Sequence, residues 1–255
     1  FLAAGLVVTS GVGISFITNP LCGIIHLDNM IWQIDFLGLH HLVILADLLA
    51  VLWIVWVMNM LNWSKGIDGQ MPGIATISAL ILGLLSLKLY FLGDLTQADI
   101  AKLSFITSAA AGGLLIFNWH PAKIFPGFSG SGIFGLLIAT LAILSGAKLA
   151  TAGLVLLIPA IDFIYTLMRR VLSGKSPVWG DRGHLHHKLL ELGLSHQKIA
   201  LFYILGSAML GAAALTLGSE DKLFAAALVS LSLLGLILWL NFFGGLSKQS
   251  GPDNG

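Results

Sequence analysis

Apolar residues along this chain fall into blocks of roughly twenty, the length a helix needs to cross a hydrocarbon core about 30 Å thick. Eight such blocks are read, at about 1–17, 41–61, 73–92, 99–118, 131–147, 150–168, 199–217 and 223–243. Each predicts a transmembrane helix, because in lipid the backbone must satisfy its own hydrogen bonds. Residues 18–40 read as a mixed loop containing Pro20, Asp28 and Asp35, and the longest polar insertion covers about 169–198. The tail, 244–255, is rich in Gly, Ser and Asn and is expected to fray. With no internal repeat and no compositional break, residues 1–243 predict a single all-α polytopic bundle. The chain opens on Phe1-Leu2-Ala3-Ala4, without an initiator Met or a basic n-region. It therefore does not read as a signal peptide, and it looks like the middle of a longer protein that begins inside a helix.

Composition narrows the class further. Hydrophobic residues make up 57% of the 255 and charged residues 10%, where a soluble domain carries roughly a quarter charged. A net charge of +1 gives no reason to expect a nucleic-acid partner. The single cysteine, Cys22, excludes an intramolecular disulfide. If loops alternate across the membrane, the 13 Lys and Arg divide unequally. Lys65, Lys123, Arg169, Arg170, Lys175, Arg182, Lys188, Lys198 and Lys248 share one side; Lys88, Lys102, Lys148 and Lys222 share the other. The first side is assigned to the cytoplasm, and every candidate motif falls on it. A transporter would need polar residues at mid-depth, and apart from Asp47 the spans offer few.

Three constellations could carry chemistry. Where the second span ends, the chain reads Asn59-Met60-Leu61-Asn62-Trp63-Ser64-Lys65-Gly66-Ile67-Asp68-Gly69-Gln70. Asn59 and Asn62 share a helix face, and a glycine-flanked Asp68 suits close approach to a nucleotide or sugar. A helix C-cap built from turn formers reads the same way. The second, Asn118 to Ser131, ends in Gly127-Phe128-Ser129-Gly130-Ser131. Ser129, Gly130 and Ser131 at a helix start could hold phosphate or simply cap the helix. The third joins Asp162, an acid inside a span, to Arg169-Arg170 and to Ser176-Pro177-Val178-Trp179-Gly180-Asp181-Arg182-Gly183-His184-Leu185-His186-His187. Zinc sites usually draw on Cys or on more widely spaced His, so Arg182, His184, His186 and His187 read better as an anion-binding loop. Arg169 lies two turns beyond Asp162, so a structural salt bridge competes there, as does a simple membrane anchor for Arg169-Arg170.

These motifs resemble, in order and placement, the polyprenyl-phosphate N-acetylhexosamine-1-phosphate transferases, glycosyltransferase family 4. SPVWGDRGHLHH looks like that family's third cytoplasmic motif. NWHPAKIFPGFSGSGIFG resembles its Asn-x-x-Pro-Ala…Gly-Asp-x-Gly-Ser signature, and NMLNWSKGIDG its Asn-x-x-Asn-x-x-Asp-Gly-x-Asp-Gly signature. The resemblance implies transfer of a sugar 1-phosphate (GlcNAc-1-phosphate type) from a UDP-N-acetylhexosamine to polyprenyl phosphate, with Mg²⁺, in cell-wall or surface-polysaccharide synthesis. It implies a bacterial-type plasma membrane and admits a homodimer. By position, Asn62 and Asp68 would contact the nucleotide, Asn59 and Lys65 join them as substrate-binding residues, and Asp68 and Asp162 are the catalytic candidates. Asp162, Arg182, His184, His186 and His187 fall on the diphosphate and sugar side.

Two substitutions depart from the pattern. Phe128 stands where the family places a metal-ligating Asp, and Lys65 stands for the first Asp of the Asp-Gly-x-Asp-Gly signature. A phenyl ring offers Mg²⁺ no oxygen, so no metal ligand is assigned in this chain. Asp to Lys adds two positive charges, Asp to Phe adds one, and a lost Mg²⁺ removes two. The site then ends about one charge more positive and still suited to an anion. The expectation is a family transferase diverged at its metal site, with a non-catalytic lipid-phosphate or nucleotide-sugar binder, or an envelope scaffold, as the alternative.

The charge asymmetry yields a direct test. In intact cells and a Cys22→Ser background, Lys65→Cys and Gly180→Cys should resist an impermeant thiol reagent. Strong labelling of both would reverse the orientation.

Overall fold

The structure is a computed structural model, and it describes residues 1–14, 16–19, 23–27, 33–36, 40–146, 149–174, 176 and 183–243. In chain order the elements are α1 (Leu2–Thr9), strands β1 (Phe16–Asn19), β2 (Gly23–His26), β3 (Gln33–Phe36) and β4 (His40–Val43), then α2 (Ile44–Trp63). A 3₁₀ turn, Ser64–Gly66, leads to α3 (Gln70–Phe91), α4 (Gln97–Asn118), α5 (Gly127–Leu144), α6 (Leu149–Val155) and α7 (Leu157–Leu172). The chain continues through α8 (Leu185–Glu191), α9 (His196–Thr216) and α10 (Ser219–Phe243).

Among the described residues, six helices are long and apolar enough to cross a membrane: α2, α3, α4, α5, α9 and α10. The α6–α7 pair makes a seventh if counted as one span, bent by 78°. The all-α polytopic architecture therefore stands, and seven of the eight expected blocks are helical spans or this broken pair. The first block differs. Helix α1 ends at Thr9 because Thr9 and Ser10 turn their hydroxyls back onto the Leu6 and Val7 carbonyls, and Gly11 takes φ 101°. The expected mixed loop 18–40 carries strand pairing: Phe16 sits opposite His26 in one antiparallel hairpin and Gln33 opposite Val43 in the next.

The break within the sixth block has a local cause. Pro159 has no N–H to give to the Val155 carbonyl, and the helix resets three residues before it, at Leu156. An acid inside the second span is explained as locally. Asp47 accepts the Val43 N–H at 2.9 Å, satisfying a donor at the start of α2.

The bundle is centred on α3, which packs against α4 along its length and against α9 on another side, while α2 packs on α5. Ile54, Leu61, Met71, Ile74, Leu82, Ile138, Leu156 and Tyr203 are fully buried between these helices. Outward-facing Ile106, Ile116, Phe117, Met209, Leu231 and Trp239 form the apolar perimeter that a lipid environment requires. Helices in lipid associate through close packing and shared hydrogen bonds rather than through hydrophobic burial. Trp53 Nε1 donates to the Ala139 carbonyl across α2–α5 at 3.2 Å, and Ser108 Oγ to the Thr76 carbonyl across α4–α3 at 2.9 Å. At Gly135 the α5 backbone comes so near α2 that an added Cβ would lie 2.6 Å from Met58 Cα.

That approach predicts the cost of one methyl group. Gly135→Ala should force α2 and α5 apart and destabilise the protein by about 1–3 kcal/mol, the usual range for overpacking. Gly113→Ala, which meets nothing within 4 Å, should not lower the melting temperature. Thermal unfolding in detergent reads both.

Candidate phosphate and nucleotide site

The site is built around the corner where α2 turns into α3. Ser64 closes α2 by donating its hydroxyl to the Met60 carbonyl at 2.9 Å, the 3₁₀ turn follows, and Gly69 at φ 81° starts α3. Glycine is required at 69 twice over: by that left-handed backbone, and because a Cβ would come 3.0 Å from the Trp119 ring. Asn118, 3% exposed, ties this corner to the α4–α5 loop. Its Oδ1 accepts the Gly69 N–H at 2.9 Å and its Nδ2 donates to the Ile124 carbonyl at 2.8 Å. Beside it, Asp68 Oδ2 meets His120 Nδ1 at 2.7 Å and accepts the Ala122 N–H at 3.3 Å. The His120 ring stacks on His196, at the start of α9, with centroids 4.5 Å apart.

The same corner reaches the start of α5. Ser131, fully buried, donates its hydroxyl towards Asn62 Oδ1 at 3.0 Å, with the Gly127 and Phe128 carbonyls also within reach. Gly130 gives its N–H to the Pro126 carbonyl, and Ser129 is exposed. Asn59 is exposed and bonds its own helix at Val55. The two substituted positions are in contact, with Lys65 Nζ lying 5.6 Å from the centroid of the Phe128 ring. A cation over an aromatic face is weakly attracted to it.

The third constellation closes on the corner from the other side. Asp162 is 4% exposed, and a carboxylate so placed must be fully partnered. Its Oδ1 accepts the Leu185 N–H at 2.7 Å, satisfying a free donor at the start of α8, and its Oδ2 accepts the Tyr203 hydroxyl at 3.2 Å. His184 Nδ1 and His186 Nδ1 each lie 3.5 Å from one of its oxygens. The two imidazoles stack at 5.2 Å and 7°, Thr166 Oγ1 lies 3.3 Å from His184 Nδ1, and Trp63 presents its ring to His184 edge-on. A Cβ on Gly66 would sit 2.6 Å from His186 Nε2, so this glycine is what lets the histidine reach the corner.

The salt bridge expected as an alternative for Asp162 is replaced by this arrangement. Its oxygens face the histidines, Tyr203 and the α8 N-terminus, while the Arg169 guanidinium lies against Gly183. Arg170 is also more than a membrane anchor: it is buried and donates from Nε to the Ser176 carbonyl at 2.8 Å. His184 and His186 point inward and are buried, while His187 is half-exposed beside them. Arg182 lies outside the described residues. Asn118, His120, Tyr203 and His196 join the site although the sequence singles out none of them as site residues. Among the described residues, two sets of three could hold a metal ion, Asp162 with His184 and His186, and Asp68 with His120 and His196.

A family model described as glycosyl transferase family 4 matches residues 1–146, more than half of the chain. The chain belongs to this family. Among curated relatives, the decaprenyl-phosphate N-acetylglucosaminephosphotransferase of Mycolicibacterium smegmatis is 32% identical over 226 residues, covering 80% of this chain and 52% of the relative. A probable undecaprenyl-phosphate N-acetylglucosaminyl 1-phosphate transferase of Bacillus subtilis is 34% identical over 166 residues, 62% of this chain and 44% of the relative. The phospho-N-acetylmuramoyl-pentapeptide-transferase of Moorella thermoacetica is 29% identical over 158 residues, 61% of this chain and 47% of the relative. This family 4 chain thus spans about half the length of the curated relatives it matches.

The Asn118 bridge can be cut at either end. Asn118→Ala leaves a buried N–H and a buried carbonyl unpaired and should cost about 1–3 kcal/mol of stability. Asn118→Asp keeps the acceptor for Gly69, loses the donor to Ile124, and should fall between the two in thermal unfolding.

Proposed function

We propose that this membrane protein serves as a phosphoglycosyl transferase at the cytoplasmic face, moving N-acetylhexosamine 1-phosphate from a UDP-linked donor onto polyprenyl phosphate. The observation that carries the reading is that all three motif loops meet at one corner: Asn62 touches Ser131, Asp68 pairs with His120, and Gly66 abuts His186. In the reaction an oxygen of the lipid phosphate attacks the sugar-bearing phosphorus of the donor. A new P–O bond forms, the bond to the other phosphate breaks, and UMP leaves. Positioning and charge neutralisation do most of the work in such transfers.

The roles follow from placement. Asn62 and Asp68 line the corner on the nucleotide side. Lys65 offers a fixed ammonium to phosphate oxygens. Asp162 is a positioning residue that orients His184 and His186 and anchors the start of α8, so that His187 is offered to the diphosphate. Ser129 lies at the exposed start of α5, suited to a phosphate edge.

Phosphotransferases of this family generally use Mg²⁺, and the residues here do not fit it at the expected position. Phe128 supplies no oxygen, and the Lys65 ammonium beside it would repel a divalent cation. No step is therefore routed through Mg²⁺. The same contact favours the second reading, a degenerate relative that binds the lipid phosphate or nucleotide sugar without turnover.

The two readings separate experimentally. Full-length protein in membranes with undecaprenyl phosphate and radiolabelled UDP-GlcNAc should move label into the lipid extract, and Asp68→Ala should abolish this. Binding without transfer would select the degenerate reading. Calorimetry of UDP-GlcNAc binding should give the same affinity with and without added Mg²⁺. Lys65→Ala should weaken binding by about 1.5–3 kcal/mol, the range for hydrogen bonds to charged groups, and Lys123→Ala by less. A requirement for Mg²⁺ would show that other carboxylates hold the ion and that Lys65 has not replaced it.

A further inference from the structure

We infer that Asp68, His120 and His196 form a binding site for a zinc-class divalent ion, one that clips three separate elements together. The residues come from the α2–α3 corner, the α4–α5 loop and the first turn of α9. One donor atom from each lies within 4.8 Å of the other two. Zinc bound to nitrogen and oxygen at about 2.0–2.2 Å needs donors roughly 3.3–3.6 Å apart, so small side-chain rotations bring this set onto an ion.

Three observations set this cluster apart from a chance gathering of polar groups. His196 Nδ1 is buried and has no hydrogen-bond partner in the protein, a costly state for a ring nitrogen unless something is coordinated there. Both hydrogen bonds to Asp68 fall on Oδ2, which leaves Oδ1 for a ligand. His120 is held from both ends, by Asp68 at its ring and by Gln197 Nε2, which donates to its carbonyl at 3.1 Å.

The donor set selects the metal. Two imidazoles and one carboxylate suit zinc, cobalt or nickel, whereas Mg²⁺ favours oxygen ligands. All three residues are partly exposed, so water can complete the shell. The other candidate set is less suitable: Asp162, His184 and His186 are all buried, and the Asp162 oxygens are already taken by Leu185 N and the Tyr203 hydroxyl. The inference concerns ion binding and stands independently of whether the protein transfers a sugar phosphate.

Cobalt is the probe. Purified full-length protein, stripped of metal and titrated with Co²⁺ in detergent, should bind one ion per chain at this site, with visible absorption from nitrogen and oxygen coordination. Zn²⁺ should displace it and raise the melting temperature. His196→Gln and His120→Gln should each weaken Co²⁺ binding by at least about tenfold, the lower bound for losing even an outer-shell partner, and the double variant should abolish it. Melting of each variant in metal-free buffer separates lost affinity from lost folding. The inference is overturned if the wild type binds no Co²⁺ above buffer, if folded His196→Gln keeps full affinity, or if His184→Gln removes the binding while His120→Gln and His196→Gln leave it intact.

Discussion

The candidate site depends on how a tight corner between two membrane helices is held in place. The α2–α3 corner must expose Lys65 and Asp68 while its own buried backbone groups stay bonded. Asn118 solves this from another helix, taking the Gly69 N–H with one end of its amide and giving to the Ile124 carbonyl with the other. Both ends of a buried amide are thereby satisfied, and two motif loops far apart in sequence are fixed at hydrogen-bond distance. Asp68–His120 and Asn62–Ser131 follow from that registration. On the opposite flank, Asp162 does equivalent work by holding the first turn of α8 and two imidazoles against Gly66.

Much of this was legible in the sequence, and what escaped it has physical reasons. Long apolar blocks report membrane helices because no other structure hides their backbone from lipid. Helix ends and breaks depend on single groups instead. The Ser10 hydroxyl folded back onto α1, and the missing N–H of Pro159, change the course of the chain without altering its hydropathy. The three motifs were visible as clusters of polar residues, and Lys65, Asp68, Asp162 and the histidines stood out by type. What could not be read was pairing. Asp68 meets a histidine 52 positions away and Asp162 a tyrosine 41 positions away, and residue spacing along one helix carries no signal of either. His196 and Tyr203 share a face two turns apart on α9, yet nothing local says that this face looks onto the site.

The contact between Lys65 and Phe128 gives the two departures from the family pattern a common meaning. Taken singly, each removes an acid from a site built to handle phosphate. Together they place an ammonium on an aromatic face, so the charge that left with the carboxylates is answered by a fixed cation next to the Asn62–Ser131 pair. On the reading proposed above, such a site would keep its attraction for anions without Mg²⁺ at that position. The Asp68, His120 and His196 set proposed above suits a different class of ion.

The central claim is that the α2–α3 corner and the start of α5 form one binding surface. It is tested most directly by cross-linking Asn62→Cys to Ser131→Cys in a Cys22→Ser background, with and without UDP-GlcNAc. The 3.0 Å contact between these side chains predicts that mild oxidant closes a disulfide quickly, and that bound UDP-GlcNAc slows its formation. Failure of the pair to cross-link under conditions that leave the protein folded would contradict the account, and a rate indifferent to UDP-GlcNAc would remove the ligand from this surface.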